Sequence, residues 1–72
     1  MSNELIIVGS IIANIEKGLS NYRKFKKENS RKWASYWLGV VDTNILIWHE
    51  MFGDRKSRVV EMAKEEINFG KE

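Results

Sequence analysis

The sequence predicts an all-α fold: a small antiparallel bundle of three helices, or of four short ones, that homodimerisation completes. Three observations predict it. Apolar residues recur every three or four positions along most of the chain, which is the period of an α-helix. Residues typical of turns and caps interrupt this pattern near Asn29 and Gly53. The middle segment also carries more apolar residues than one buried stripe needs.

The composition indicates one globular domain over residues 1–72. It is 43% hydrophobic and 31% charged, which is too apolar for a disordered chain. A domain this small buries only about 60% of the surface of its unfolded chain. The sequence has no cysteine and one histidine, which excludes disulfides and disfavours a structural metal. We therefore expect a second copy of the chain to supply the missing stability.

The first segment predicts an α-helix from about Asn3 to Lys27, with Ser2 or Asn3 as its cap and basic residues at its end. Gly9 and Gly18 each cost a helix about 1 kcal/mol relative to alanine. The apolar run that opens the segment could alone also form a short strand. The helix is preferred because its stripe continues past both glycines. That stripe comprises Val8, Ile11 or Ile12, Ile15, Leu19, Tyr22 and Phe25.

The second segment predicts a helix that begins near Arg31 after a cap at Asn29 or Ser30. Its core stripe is Ala34, Leu38, Val41, Ile45, Trp48 and Phe52. A further set widens the apolar surface: Trp33, Tyr36, Trp37, Val40, Ile47 and Met51. A helix that is apolar on most sides is expected to be buried on most sides. The segment could form one long helix or two short ones, because Asp42 could cap a new helix after Gly39.

The third segment predicts an amphipathic helix over about Arg55–Asn68, with Gly53 ending the previous helix and Asp54 as the cap. The inward positions are Val59, Val60, Ala63 and Ile67, with Met62 at the flank. The charged residues predict a solvated face, on which Glu61 and Lys64 can pair across one turn.

The basic residues concentrate in one stretch. Residues 22–32 carry a local net charge of +5 in a chain of net charge +2. Cations interleaved with aromatic residues are typical of surfaces that bind single-stranded nucleic acid. The same cations would also complement a helix dipole and face water, and this interpretation is preferred because the pattern carries no geometry for reading bases. The candidate contacts for nucleic acid or an acidic partner are Arg23, Lys24, Lys26, Lys27, Arg31 and Lys32.

The aromatic residues beside this stretch are candidate partner contacts. Trp33, Tyr36 and Trp37 belong to the residue types that dominate binding energy at protein interfaces. The alternative places them in a core. Trp37 and Trp48 suit a core or a dimer interface, whereas Trp33 suits core and surface equally well.

Catalytic and metal chemistry have little support in the sequence. A site can be drawn from His49, Glu50 and Asp54, with Asp42 two helical turns earlier, but one histidine without a second histidine or cysteine is a poor metal site. Phosphate-binding loops and nucleophile elbows are absent. We expect a protein that is not an enzyme, with no cofactor, no metal and no small-molecule substrate.

Targeting signals are also weak. The amino terminus lacks the basic flank of a secretory signal, and the apolar tract 33–48 is shorter than the roughly 20 residues of a spanning helix. We expect a cytoplasmic protein without membrane contact.

The leading functional hypothesis is an interaction module that binds a larger protein and inhibits or modulates it. Small, cysteine-free chains rich in lysine and asparagine are frequent among phage and plasmid modulators of host machinery such as replication or transcription. The alternative is a small nucleic-acid-binding protein that uses residues 22–33.

Overall fold

Three α-helices make up the computed structural model, which describes residues 3–70, with side chains from residue 5 onward. Helix α1 spans Asn3–Lys27, α2 spans Arg31–Phe52 and α3 spans Arg58–Glu66, and no strand occurs within residues 3–70. The all-α prediction is confirmed. The middle segment is one continuous helix, so the alternative of two short helices is wrong. The predicted caps of α1, Ser2 and the side chain of Asn3, lie outside the described residues.

The turn between α1 and α2 explains why an asparagine stands there. Asn29 has a φ of 60°, the left-handed conformation that ends many helices. The N–H of Ser30 donates to the carbonyl of Phe25 at 2.9 Å, and the N–H of Asn29 donates to Lys26 at 3.1 Å. These two bonds form a Schellman motif. Ser30 occupies the predicted cap position of α2, but its side chain makes no capping hydrogen bond.

Helix α3 begins three residues later than predicted, and Asp54 is not its cap. Ser57 is the cap: its backbone is extended, and its hydroxyl accepts from the N–H of Val60 at 3.4 Å. Residues 55–57 are not helical, and a contact from α2 reaches this connection: the indole N–H of Trp48 donates to the carbonyl of Arg55 at 2.9 Å.

The core draws on all three helices and follows the predicted stripes. Its buried members are Ile11, Ile15, Leu19, Val41, Ile45, Trp48, Val60 and Ala63. The predicted inward residues Val59 and Ile67 of α3 are partly buried against this cluster, whereas Met62 is exposed. Burial of these side chains is the main source of stability.

Gly18 marks a close approach of α1 and α2. A Cβ atom placed there would lie 2.7 Å from Cγ2 of Val41 and 3.6 Å from Cγ1 of Val40. Gly9, by contrast, has open space around its position. Both glycines were expected to lower the stability of the helix. At position 18, however, the absence of a side chain is what lets the two helices pack this tightly.

Helix α3 lies against one face of the α1–α2 hairpin and leaves the chain elongated. Arg23 of α1 forms a bidentate ion pair with Glu66, in which Nε lies 2.7 Å from Oε2. His49 of α2 contacts Lys64 of α3. The radius of gyration is 12.5 Å, whereas a compact chain of this length has a radius of about 11 Å.

Candidate functional site

One face of α2 stays uncovered, and helical geometry identifies it. Three residues define the side of α2 that faces α3: Ser35, Leu38 and His49. Ser35 and Leu38 line a crevice together with Ile67 and Phe69. His49 contacts Lys64 of α3. A step of two residues turns an α-helix by about 200°. The residues two positions before and after each of these three therefore lie on the opposite side. They form what we call the open face: Trp33, Tyr36, Trp37, Val40, Ile47 and Met51.

The open face is the set of residues that made the second segment too apolar for one stripe. Trp33 is 48% exposed, Tyr36 55%, Ile47 38% and Met51 49%. Trp37 and Val40 are half-buried. The expectation that α2 is buried on most of its sides is thus not met within one chain. The part of the chain that the structure describes covers the core stripe and leaves this second stripe open.

Four aromatic side chains connect at the basic end of the open face. Phe25 of α1 lies 6.2 Å from Trp33, measured between ring centroids. Trp33 meets Tyr36 edge to face at 5.9 Å, and Tyr36 meets Trp37 edge to face at 5.1 Å. These are favourable separations for aromatic pairs. We call this row the aromatic ladder, and it contains all three predicted partner-binding residues.

Lysines border the aromatic ladder. The Nζ of Lys24 lies 5.4 Å from the ring centroid of Phe25, and the Nζ of Lys32 lies 5.7 Å from that of Trp33. Such cation–π contacts are worth about 0.5–1 kcal/mol at exposed sites. Lys26 sits over Tyr22 in the same way, at 5.5 Å. All six predicted basic residues are exposed: Arg23, Lys24, Lys26, Lys27, Arg31 and Lys32.

Arg23 differs from the other cations in its orientation. It points to the α3 side of the hairpin, where its guanidinium bonds both carboxylate oxygens of Glu66. These hydrogen bonds, reinforced by the positive charges of Arg23 and Lys26, lower the pKa of Glu66 below its ordinary value. The same hydrogen bonds raise the pKa of Arg23. Arg23 therefore links α1 to α3 and stands apart from the aromatic ladder.

His49 also has a structural role. Its Nδ1 lies 2.8 Å from the carbonyl oxygen of Gly53, and its Nε2 lies 2.8 Å from the Nζ of Lys64. A carbonyl only accepts and an ammonium only donates, so Nδ1 carries the proton and Nε2 accepts from Lys64. Lys64 is half-buried and not purely solvent-facing, although it also pairs with Glu61 at 3.9 Å as predicted.

A metal site and a membrane span are the two features considered from the sequence that the described residues bear on. Within residues 3–70, no three or more His, Cys, Asp or Glu side chains come close enough to hold a metal ion, so the set drawn around His49 is not brought together. None of the described helices is long and apolar enough to cross a membrane.

Two contacts were not predicted from the sequence: the ring contact of Phe25 with Trp33 in the ladder, and the ion pair of Arg23 with Glu66. Phe25 was expected in the core stripe, and the structure leaves that ring half-buried between core and open face. Both arrangements depend on contacts between helices, which single-helix periodicity cannot show. No family model matches the chain, and no curated protein or solved structure matches it significantly.

Proposed function

We propose that this chain is a non-enzymatic interaction module that binds a larger protein, inhibits or modulates it, and is a homodimer when that protein is absent. The observation that carries the proposal is the half-exposed aromatic ladder. The proposed compartment is the cytoplasm. The proposed class of target, on the compositional argument alone, is host machinery such as replication or transcription.

The aromatic ladder has the properties of a binding hot spot. Covering the exposed half of one tryptophan or tyrosine removes about 100 Å² from water, which is worth roughly 2 kcal/mol. Trp33 and Tyr36 are each held by ring contacts on both sides, so little side-chain freedom is lost when a partner binds. Rigid, exposed aromatic side chains of this kind support tight binding from a small surface.

The charges beside the ladder indicate the chemistry of the target. Lys24 and Lys32 lie over ladder rings, and Arg31 adds a further exposed cation nearby. A target that fits both features offers an apolar groove with carboxylates at its border. Such complementarity accelerates association and selects the partner more than it raises affinity.

The proposal is tested by site-specific photo-crosslinking in cells, with a photoreactive residue at Tyr36 and identification of the attached protein by mass spectrometry. The affinity of the purified target is then compared for three chains. Trp33→Ala with Tyr36→Ala should weaken binding at least 100-fold, since two hot-spot side chains are lost. Leu46→Ala is the matched control, because Leu46 is 53% exposed on α2 but lies beside Phe69 on the α3 side. Equal affinities for all three chains would refute the proposal.

Nucleic-acid binding is the second candidate, favoured by the exposure of five cations that form no ion pair with a described residue: Lys24, Lys26, Lys27, Arg31 and Lys32. Two of them, Lys24 and Lys32, lie over ladder rings. Each phosphate contact adds about 0.7–0.9 to the slope of log affinity against log salt. Replacing Lys24, Lys26 and Lys27 by alanine should then lower that slope by about two to three. An unchanged slope, or no binding to single-stranded or duplex DNA, excludes this candidate.

A further inference from the structure

We infer that a second copy of this chain covers the open face when no target is bound, with the two α2 helices packed antiparallel about a two-fold axis near position 42. Trp33 then packs against Met51 of the second copy, and Tyr36 against Ile47 of the second copy. The inference rests on the proposed function in one respect: the second copy and the target use the same face, so they compete for it.

The exposed area of the chain is the first support. The accessible surface is 5380 Å². A compact monomer of this mass exposes about 4,600 Å². The excess of roughly 800 Å², taken over the whole elongated chain, is similar to what one partner contributes to a standard interface.

The spacing of the open face is the second support. Trp33 and Met51 lie at equal distances before and after position 42, and Tyr36 and Ile47 do so to within one residue. A helix turned end to end about this position therefore presents the same row of side chains to its mate. The small, exposed Thr43 lies next to the axis, where two helices must approach closely. Val40 is half-buried there, because its side chain also lies at the α1–α2 seam beside Gly18. Packing of methionine sulfur on an indole ring adds a favourable contact at each end.

The charges on the border of the open face are the third support, and they select the antiparallel arrangement. Lys32 precedes Trp33 at one end, and Glu50 precedes Met51 at the other. Both are exposed and lie on the same flank of α2. In an antiparallel pair, Lys32 of each copy meets Glu50 of the other, so two ion pairs form. A parallel two-fold pair would place the two Lys32 side chains on opposite flanks of the interface and both of them a helix length away from Glu50, so neither ion pair could form.

A charge-swap experiment tests this arrangement. The dimer dissociation constant is measured by sedimentation equilibrium for the wild type, Lys32→Glu, Glu50→Lys and the double variant. Each single reversal turns two attractions into two repulsions, so it should weaken the dimer about tenfold. The double variant restores both pairs and should return to within about threefold of wild type. Both changes suit the dipole of α2, so the monomer should keep its helices, which circular dichroism verifies.

A pair of neighbouring residues tests the apolar part. Ile47→Ala on the open face should weaken the dimer tenfold or more because the residue occurs twice in the interface, whereas Leu46→Ala should leave it unchanged. Three results would each overturn the inference. The first is a wild-type chain that is monomeric at about 100 μM. The others are a double charge variant that dimerises no more tightly than the single variants, and equal losses of dimer affinity for alanine at positions 46 and 47. A monomer would also remove the homodimer from the proposed function, whereas the binding of a target is tested separately by the affinities of the purified target for the three chains.

Discussion

The two faces of the α1–α2 hairpin differ in the contacts that they make. On the α3 side, directional contacts fix the third helix: the Arg23–Glu66 ion pair, the His49–Lys64 contact and the bond from Trp48 to the Arg55 carbonyl. On the open face, the described contacts are aromatic rings and lysines from the same hairpin. One helix thus carries an apolar stripe that packs in the core and a second apolar stripe that is largely exposed. The position of α3 therefore shows on which side of α2 the excess of apolar residues lies.

The largest expected difference between the faces is that between two tryptophans on α2. Trp48→Ala should destabilise the chain by about 3–5 kcal/mol, since the side chain is 2% exposed and bonds Arg55. Trp33→Ala should destabilise the monomer by only about 1–2 kcal/mol, because half of this side chain is already in water. Urea unfolding at a concentration that keeps the chain monomeric measures both. Similar losses for the two variants would show that the open face also supports the fold.

Two glycines of α1 provide the next contrast. Gly18→Ala should cost about 1–3 kcal/mol, because the new methyl group overlaps Val41 at the seam of the hairpin. Gly9→Ala meets no atom and should stabilise the helix by about 0.5–1 kcal/mol. Thermal unfolding of the two variants should therefore shift in opposite directions. A Gly18→Ala variant as stable as wild type would mean that the hairpin can open at this point without loss.

The start of α3 gives a smaller effect. Ser57→Ala removes the hydroxyl that accepts from Val60 and should cost about 1 kcal/mol. Asp54→Ala is the control, because Asp54 lies in the turn before the helix and should change stability by under about 0.5 kcal/mol. Chemical denaturation compares the two. A larger loss at Asp54 would restore it as the cap.

The smallest effect concerns the exposed pair between α1 and α3. Glu66→Gln should cost under about 0.5 kcal/mol at neutral pH, because the Arg23 side chain is 57% exposed and water screens the pair. The pKa of Glu66 is lowered in the fold, so its contribution is present above the unfolded pKa and disappears as the pH falls through the folded value. The difference between wild type and variant should accordingly shrink as the pH falls and vanish once Glu66 is protonated in the fold. A difference that persists in acid would point to packing instead of charge.

Periodicity and caps were sufficient to predict the helical fold, but not every boundary. The bounds of α1 and α2 match because the stripes, the turn at Asn29 and the stop at Gly53 are local signals. The predicted start of α3 was wrong because Ser57 caps the helix in place of Asp54, and the preceding connection is contacted by Trp48 of α2, which the local cap signal does not contain. The clustering of Trp33, Tyr36 and Trp37 follows from helical spacing. The separation of Arg23 from the other cations required the position of Glu66, which no local pattern contains.

The distribution of the three indoles gives the chain its own optical probes. Trp48 lies in the core, Trp37 is half-buried and Trp33 is half in water. Emission from Trp33 should shift to shorter wavelength when any partner covers it, while emission from Trp48 should change only when the fold is lost. Variants that keep a single indole would therefore report association and unfolding as separate signals, without a chemical label.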